Sequence, residues 1–174
     1  MKRWTVDELM AWFVFYSRER VTALVGDGLT ALEIADLDIP ARDRLWILLR
    51  EDFIPNKELR LLACEVAQDA VTRSWTVGLN PQDAIDTARR FARGEAARED
   101  LSFVSSAWTA QTCAHNSAQA VVKASAEDAA KTAVFASANA AVGDAAIGDA
   151  WADSLTQSLA MTRSVLVALS EVER

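Results

Sequence analysis

Lys57-Glu58-Leu59-Arg60-Leu61-Leu62-Ala63-Cys64-Glu65-Val66-Ala67-Gln68-Asp69-Ala70-Val71-Thr72-Arg73 is the clearest helical pattern in the chain. Leu59, Leu62, Ala63, Val66, Ala67, Ala70 and Val71 recur at i, i+3, i+4 and i+7, the period of an α-helix with one buried face. Lys57, Glu58, Arg60, Glu65, Gln68 and Asp69 fall between them and form the expected wet face. Asn56, following Pro55, is the expected N-cap.

Downstream, Asn80 can cap a second helix, with Pro81 in its first turn, Asp83 complementing the dipole and Gly94 as the stop. Ala84, Ile85, Ala88, Phe91 and Ala92 make its apolar stripe, and Asp86 can pair with Arg89 or Arg90 on the surface. Trp75 to Leu79, with Gly78, is short enough to make the two helices an antiparallel hairpin.

Upstream, Thr5 and Glu8 have capping-box spacing ahead of a helix expected to run to about Leu24 and to end near Gly26. Thr30 and Glu33 repeat that spacing for a short helix through Ala35. A third helix begins at Pro40 or Ala41 and carries Leu45, Trp46, Leu48 and Leu49. Pro55 holds Ile54 extended.

After residue 100 the composition shifts. Residues 101–160 hold 19 of the 33 alanines, against five in residues 1–60. Helices are expected near 97–123, 126–142 and 149–171. Ser125 and Asp128 mark one start, and Gly143 and Gly148 mark a break. Ala107, Ala110, Ala114, Ala118 and Val121 form one small-residue stripe; Ala126, Ala130, Ala133, Ser137 and Ala140 form another. Such faces let helix axes approach closely. Trp151, Leu155, Leu159, Leu166 and Leu169 form the bulkier seam of the last helix. The expected fold is therefore all-α: one domain over residues 1–174, an antiparallel bundle of six to eight helices with an alanine-rich C-terminal half. Residues 1–54 would form an N-terminal helical segment and 55–174 the core.

With 174 residues, 51% of them hydrophobic, the chain can bury a real core and is not a disordered or disulfide-scaffold type. A formal charge of −7 would repel nucleic acid over most of the surface. The first residues lack a signal-peptide layout, and the apolar run Met10 to Tyr16 is far short of the ~20 residues of a membrane span. The expectation is a soluble, cytoplasmic protein with no membrane role.

Motifs for chemistry are absent. The sole histidine, His115, lies two residues from Cys113, so on a helix the two point apart. Cys64 reads as a small buried apolar residue. There is no CxxC, no HExxH and no calcium loop, and Asp36 with Asp38 or Glu51 with Asp52 serve capping and solvation. Gly26-Asp27-Gly28 reads as a turn after a helix. No catalytic residue, metal or cofactor is expected.

Binding is better supported. Six tryptophans is high usage, and Trp, Tyr and Arg dominate binding hot spots. Most should pack in the core, while Trp46, Arg50 and Trp75 are candidate anchors for a protein partner. Trp12-Phe13-Val14-Phe15-Tyr16 is apolar on every helical face, so either its helix is buried on several sides or part of it meets another chain, which leaves a homodimer open. Arg89, Arg90 and Arg93 could instead neutralise a nucleotide ligand at a subunit boundary.

Leu59-Arg60-Leu61-Leu62-Ala63-Cys64-Glu65-Val66-Ala67, followed by Asn80-Pro81-Gln82-Asp83-Ala84-Ile85-Asp86-Thr87-Ala88-Arg89-Arg90-Phe91-Ala92-Arg93-Gly94, resembles the immunity-protein-like family of the fifth polymorphic-toxin immunity class, found in bacteria and phages. Gly28 to Pro55, with Asp43-Arg44-Leu45-Trp46, also resembles segments that precede this motif in phage-encoded relatives. The resemblance implies neutralisation of a protein partner, a toxin or defence component, and carries over no catalytic residue. The alternative expectation is an oligomeric phage anti-defence protein that sequesters a nucleotide signal.

Overall fold

The computed structural model describes residues 2–73, 82–101, 121, 125–141 and 147–172. Its helices are α1 (Val6–Met10), α2 (Arg18–Val25), α3 (Ala31–Ala35), α4 (Ala41–Leu48), α5 (Asn56–Arg73), α6 (Gln82–Ala92), α7 (Ala126–Ala141) and α8 (Ile147–Val172). Residues 98–101 are also helical. The fold is all-α, and among the described residues the one extended contact is an isolated antiparallel bridge between Trp4 and Leu29.

Local capping chemistry sets the N-terminal helices. Thr5 with Glu8 and Thr30 with Glu33 both form complete capping boxes at the starts of α1 and α3. The expected long first helix does not form. The chain leaves α1 at Ala11, turns, and restarts at α2 with Ser17 as N-cap, its hydroxyl accepting from the Arg20 N–H. The apolar run explains the break. An uninterrupted helix would show the core only one face of a segment that is apolar all round, and its aromatic and β-branched residues are mediocre helix formers. Leu9 and Phe13 reach the interior while Val14 and Phe15 point outward. Gly26 ends α2 at φ +54°.

The α5–α6 pair forms the hub. Cys64 lies against Ile85, Gln68 against Gln82, and Glu65 against Arg89. Partner numbers fall from 85 to 82 as α5 advances from 64 to 68, the register of an antiparallel pair. Asn80, Pro81 and the 75–79 linker lie outside the described residues. α6 ends in a Schellman motif: Glu95 N–H donates to the Arg90 carbonyl at 2.8 Å and Gly94 N–H to the Phe91 carbonyl at 3.0 Å, with Gly94 at φ +76°. At the start of α5, Asn56 is already helical, and the Pro55 carbonyl accepts from Leu59 N–H at 2.9 Å. The cap is therefore one residue earlier than the sequence suggests.

α7 lies along α5 through its alanines: Ala126, Ala130, Ala133 and Ser137 of the expected stripe are buried, with Ala129, Val134 and Ala138 beside them. Ser125 Oγ accepts from Asp128 N–H at 3.2 Å, as its position predicts. α8 then packs on α7, α4, α3 and α5. Its seam is Leu155, Leu159 and Leu166, fully packed, with Trp151 and Leu169 half-buried. Gly148, expected at a break, falls in the first turn of α8. The stripe from Ala107 to Ala118, like most of the helix expected over 97–123, lies outside the described residues. Large side chains (Phe13, Ile34, Leu45, Ile47, Leu48, Ile54) fill the N-terminal part of the core, and it runs without interruption from Trp4 to Leu166. No helix among the described residues is long and apolar enough to cross a membrane.

Candidate protein-binding surface

Trp46 and Arg50 are brought together, on a surface built from α4, the turn after it, and α7. In α4, Leu45, Ile47 and Leu48 turn inward and leave Trp46 38% exposed between them. Its ring lies 6.4 Å from that of Phe135, and Lys131 Nζ sits 4.9 Å above it, a cation–π contact. Lys131 also pairs with Glu127 one turn earlier on α7. Glu127 in turn accepts from Arg50 Nη1 at 3.4 Å.

Arg50 is fixed at its backbone as well. Its carbonyl accepts from the N–H groups of Phe53 and Ile54 at 3.1 and 3.0 Å, closing the turn that leads to Pro55. The guanidinium lies 5.4 Å over the Trp12 ring, and its Nε finds no hydrogen-bond partner among the described residues. Trp12 packs edge-on against Trp4 at 5.3 Å and against Phe53 at 5.2 Å. A continuous chain of contacts results, in which Arg50, Glu127 and Lys131 run between Trp12 at one end and Trp46 with Phe135 at the other. Trp46, exposed and pre-positioned, presents contact area with little rotamer freedom left to lose, whereas the Arg50 side chain is only 17% exposed and mostly buried.

The remaining candidates are distributed differently. Trp75 lies outside the described residues. Arg89 is not a free surface cation: it donates to Glu65 at 3.0 Å, Gln68 at 3.2 Å and Asp86 at 3.5 Å, stapling α6 to α5. Arg90 is exposed beside the Glu95 carbonyl at the Schellman turn, and Arg93 is exposed just past the helix.

Arg60, which the periodicity puts on the wet face, is only 3% exposed. Its Nη1 donates to the Val121 carbonyl at 2.7 Å, and its guanidinium lies 5.1 Å over Phe91. Burial pulls its pKa below the usual arginine range. Lys57, Asn56, Ser125 and Glu51 join it around a cleft of about 320 Å³.

Cys64 is wholly buried, as expected, and burial pushes its thiol up to about 12, against a thiolate at neutral pH. Tyr16 donates to Asp43 Oδ2 at 2.6 Å; burial, then that carboxylate, raises its phenol to about 12. Cys113 and His115 lie outside the described residues. Among the described residues no group of three or more His, Cys, Asp and Glu side chains is gathered to hold a metal ion.

No family model, curated protein or solved structure matches the chain.

Sequence reasoning singled out Trp46 and Arg50 but missed the α7 half of the surface. Glu127, Lys131 and Phe135 stand at i, i+4 and i+8, one helical face, which was the available signal. Their meeting with α4 is a tertiary event 77 residues away in the chain, from Arg50 to Glu127.

Proposed function

We infer that this chain is a non-enzymatic binding protein that inhibits or neutralises a partner protein in bacterial or phage conflict. The observation that carries the reading is the exposed Trp46 ring, held by Lys131 and Phe135 and linked through Glu127 to the mostly buried Arg50. The resemblance to the immunity-protein-like family points the same way, towards a toxin or a defence component as the partner in the cytoplasm. A formal charge of −7 suits a basic target such as a nuclease, chiefly by raising the encounter rate. The test is co-expression in a bacterial host with a panel of nuclease toxins and defence effectors. Growth should be rescued against at least one of them, and the double variant Trp46→Ala/Arg50→Ala should lose that rescue while accumulating normally. Failure across the panel counts against the reading.

The second reading, an oligomer that sequesters a nucleotide, has one observation in its favour: the cleft where Arg60 and Lys57 lie beside Phe91. Arg89 lends it little support, since a phosphate would have to displace Glu65 and Asp86 from it. Cyclic nucleotides should raise Tm if this second reading holds and leave it unchanged if the first does. Self-association is supported by Val14 and Phe15, 58% and 73% exposed in the turn between α1 and α2; light scattering reads it directly.

A further inference from the structure

An open apolar feature lies away from Trp46, between α5 and the C-terminal half of α8. It is a groove of about 550 Å³. Leu61, Val165, Leu169 and Val172 form its floor and end, and Met161 supplies an adaptable side chain. Val172 is 87% exposed, so the groove leaves a large hydrophobe in water at its mouth. Two helical walls lined mostly by apolar side chains are a setting that accepts a third amphipathic helix.

Charge selects among such helices. Among the described residues, the charged groups lining the groove are Glu58 and Glu65, seven residues apart and therefore two turns, ~10.5 Å, along α5. Glu65 shares its carboxylate with Arg89 on the α6 side, yet remains 61% exposed. Leu169 also borders an adjoining recess of about 230 Å³ carrying Glu51 and Asp52, whose lysine, Lys2, is already paired with Glu8. The acidic groups of the groove thus stand on its α5 side, with Glu58 and the exposed part of Glu65 facing solvent.

We propose that this groove is a second docking site, taking a basic amphipathic helix of a partner protein: an apolar stripe on Leu61, Val165 and Leu169, with Lys or Arg two turns apart facing Glu58 and Glu65. The site is independent of the Trp46 surface and does not need that reading to hold.

The probe is a labelled helical peptide of about 18 residues, ~27 Å long, made of Leu, Ala and Lys, beside a counterpart with Glu for every Lys. Fluorescence anisotropy with the full chain should show the Lys peptide binding at least ~10-fold more tightly than the Glu peptide. Glu58→Lys should narrow or reverse that preference. Ala168→Glu and Val172→Glu, at exposed positions that leave the core untouched, should abolish binding of the Lys peptide, and Trp46→Ala should not alter it. Equal binding of both peptides, binding of neither, or binding indifferent to Ala168→Glu would overturn the proposal. So would a dimer in light scattering that Ala168→Glu dissociates, because the groove would then belong to a second copy.

Discussion

Cys64 shows how much a single side chain's surroundings decide. Its sulfur donates weakly to the Ile85 carbonyl at 3.8 Å inside the α5–α6 seam, and burial holds the thiol protonated. Iodoacetamide at pH 8 should therefore leave Cys64 unmodified in the native protein and alkylate it fully in urea, read by mass on the tryptic peptide Leu61 to Arg73. Rapid native labelling would contradict the packing. Glu8 gives a pH prediction. Hydrogen bonds from Thr5 backbone N–H, then Lys2 and the Thr5 hydroxyl, lower its pKa from 4.5 to about 2. A depressed carboxyl stabilises the fold above the unfolded pKa and loses that contribution as pH falls through the folded one. The stability advantage of wild type over Glu8→Gln should thus be present at pH 7, shrink between pH 4.5 and about 2, and vanish below; urea midpoints across that range test it. Residues governed by neighbours three or four positions away, such as Thr5, Thr30 and Ser125, were legible in the sequence because a cap is a local arrangement. Arg60 was not. Its burial depends on the Val121 carbonyl 61 positions on, and no local pattern encodes that distance.

Elements were legible in proportion to how strictly their apolar positions kept one face. α5, α6 and α7 hold that period and stand where expected, and Gly94 ends α6 with the left-handed residue that a Schellman turn requires. No atom lies within 4 Å of a Cβ built at Gly94, so Gly94→Ala isolates the backbone cost of φ +76°. Chemical denaturation should show a loss of roughly 1–2 kcal/mol, and Gly94→Asn a smaller one. A loss near zero would mean that the turn is not held. The single helix expected from Thr5 to Leu24 fails for the opposite reason. With Trp12 to Tyr16 apolar on every side, the sequence offers no face to prefer, and the core settles the matter by taking Phe13 and leaving Phe15 in water.

At the scale of the whole molecule, alanine in α7 and bulk in α1 to α4 solve the same problem differently. α7 closes on α5 through side chains too small to hold it away, whereas the short N-terminal helices fill their share with Phe, Ile and Leu. This division leaves Trp46, Arg50 and Lys131 positioned by packing rather than by any reactive arrangement, which is why shape is the property we assign to function. Composition and periodicity conveyed the all-α class and singled out Trp46 and Arg50 as candidates. They could not convey that α7 would be the second wall of the surface, since that pairing exists only once α5 has set α7 in place. With a partner identified by growth rescue, isothermal titration of wild type against Trp46→Ala tests the claim most directly. Trp46→Ala should bind with at least a tenfold weaker Kd, about 1.4 kcal/mol or more, at an unaltered Tm. Equal affinities for the two proteins would contradict it.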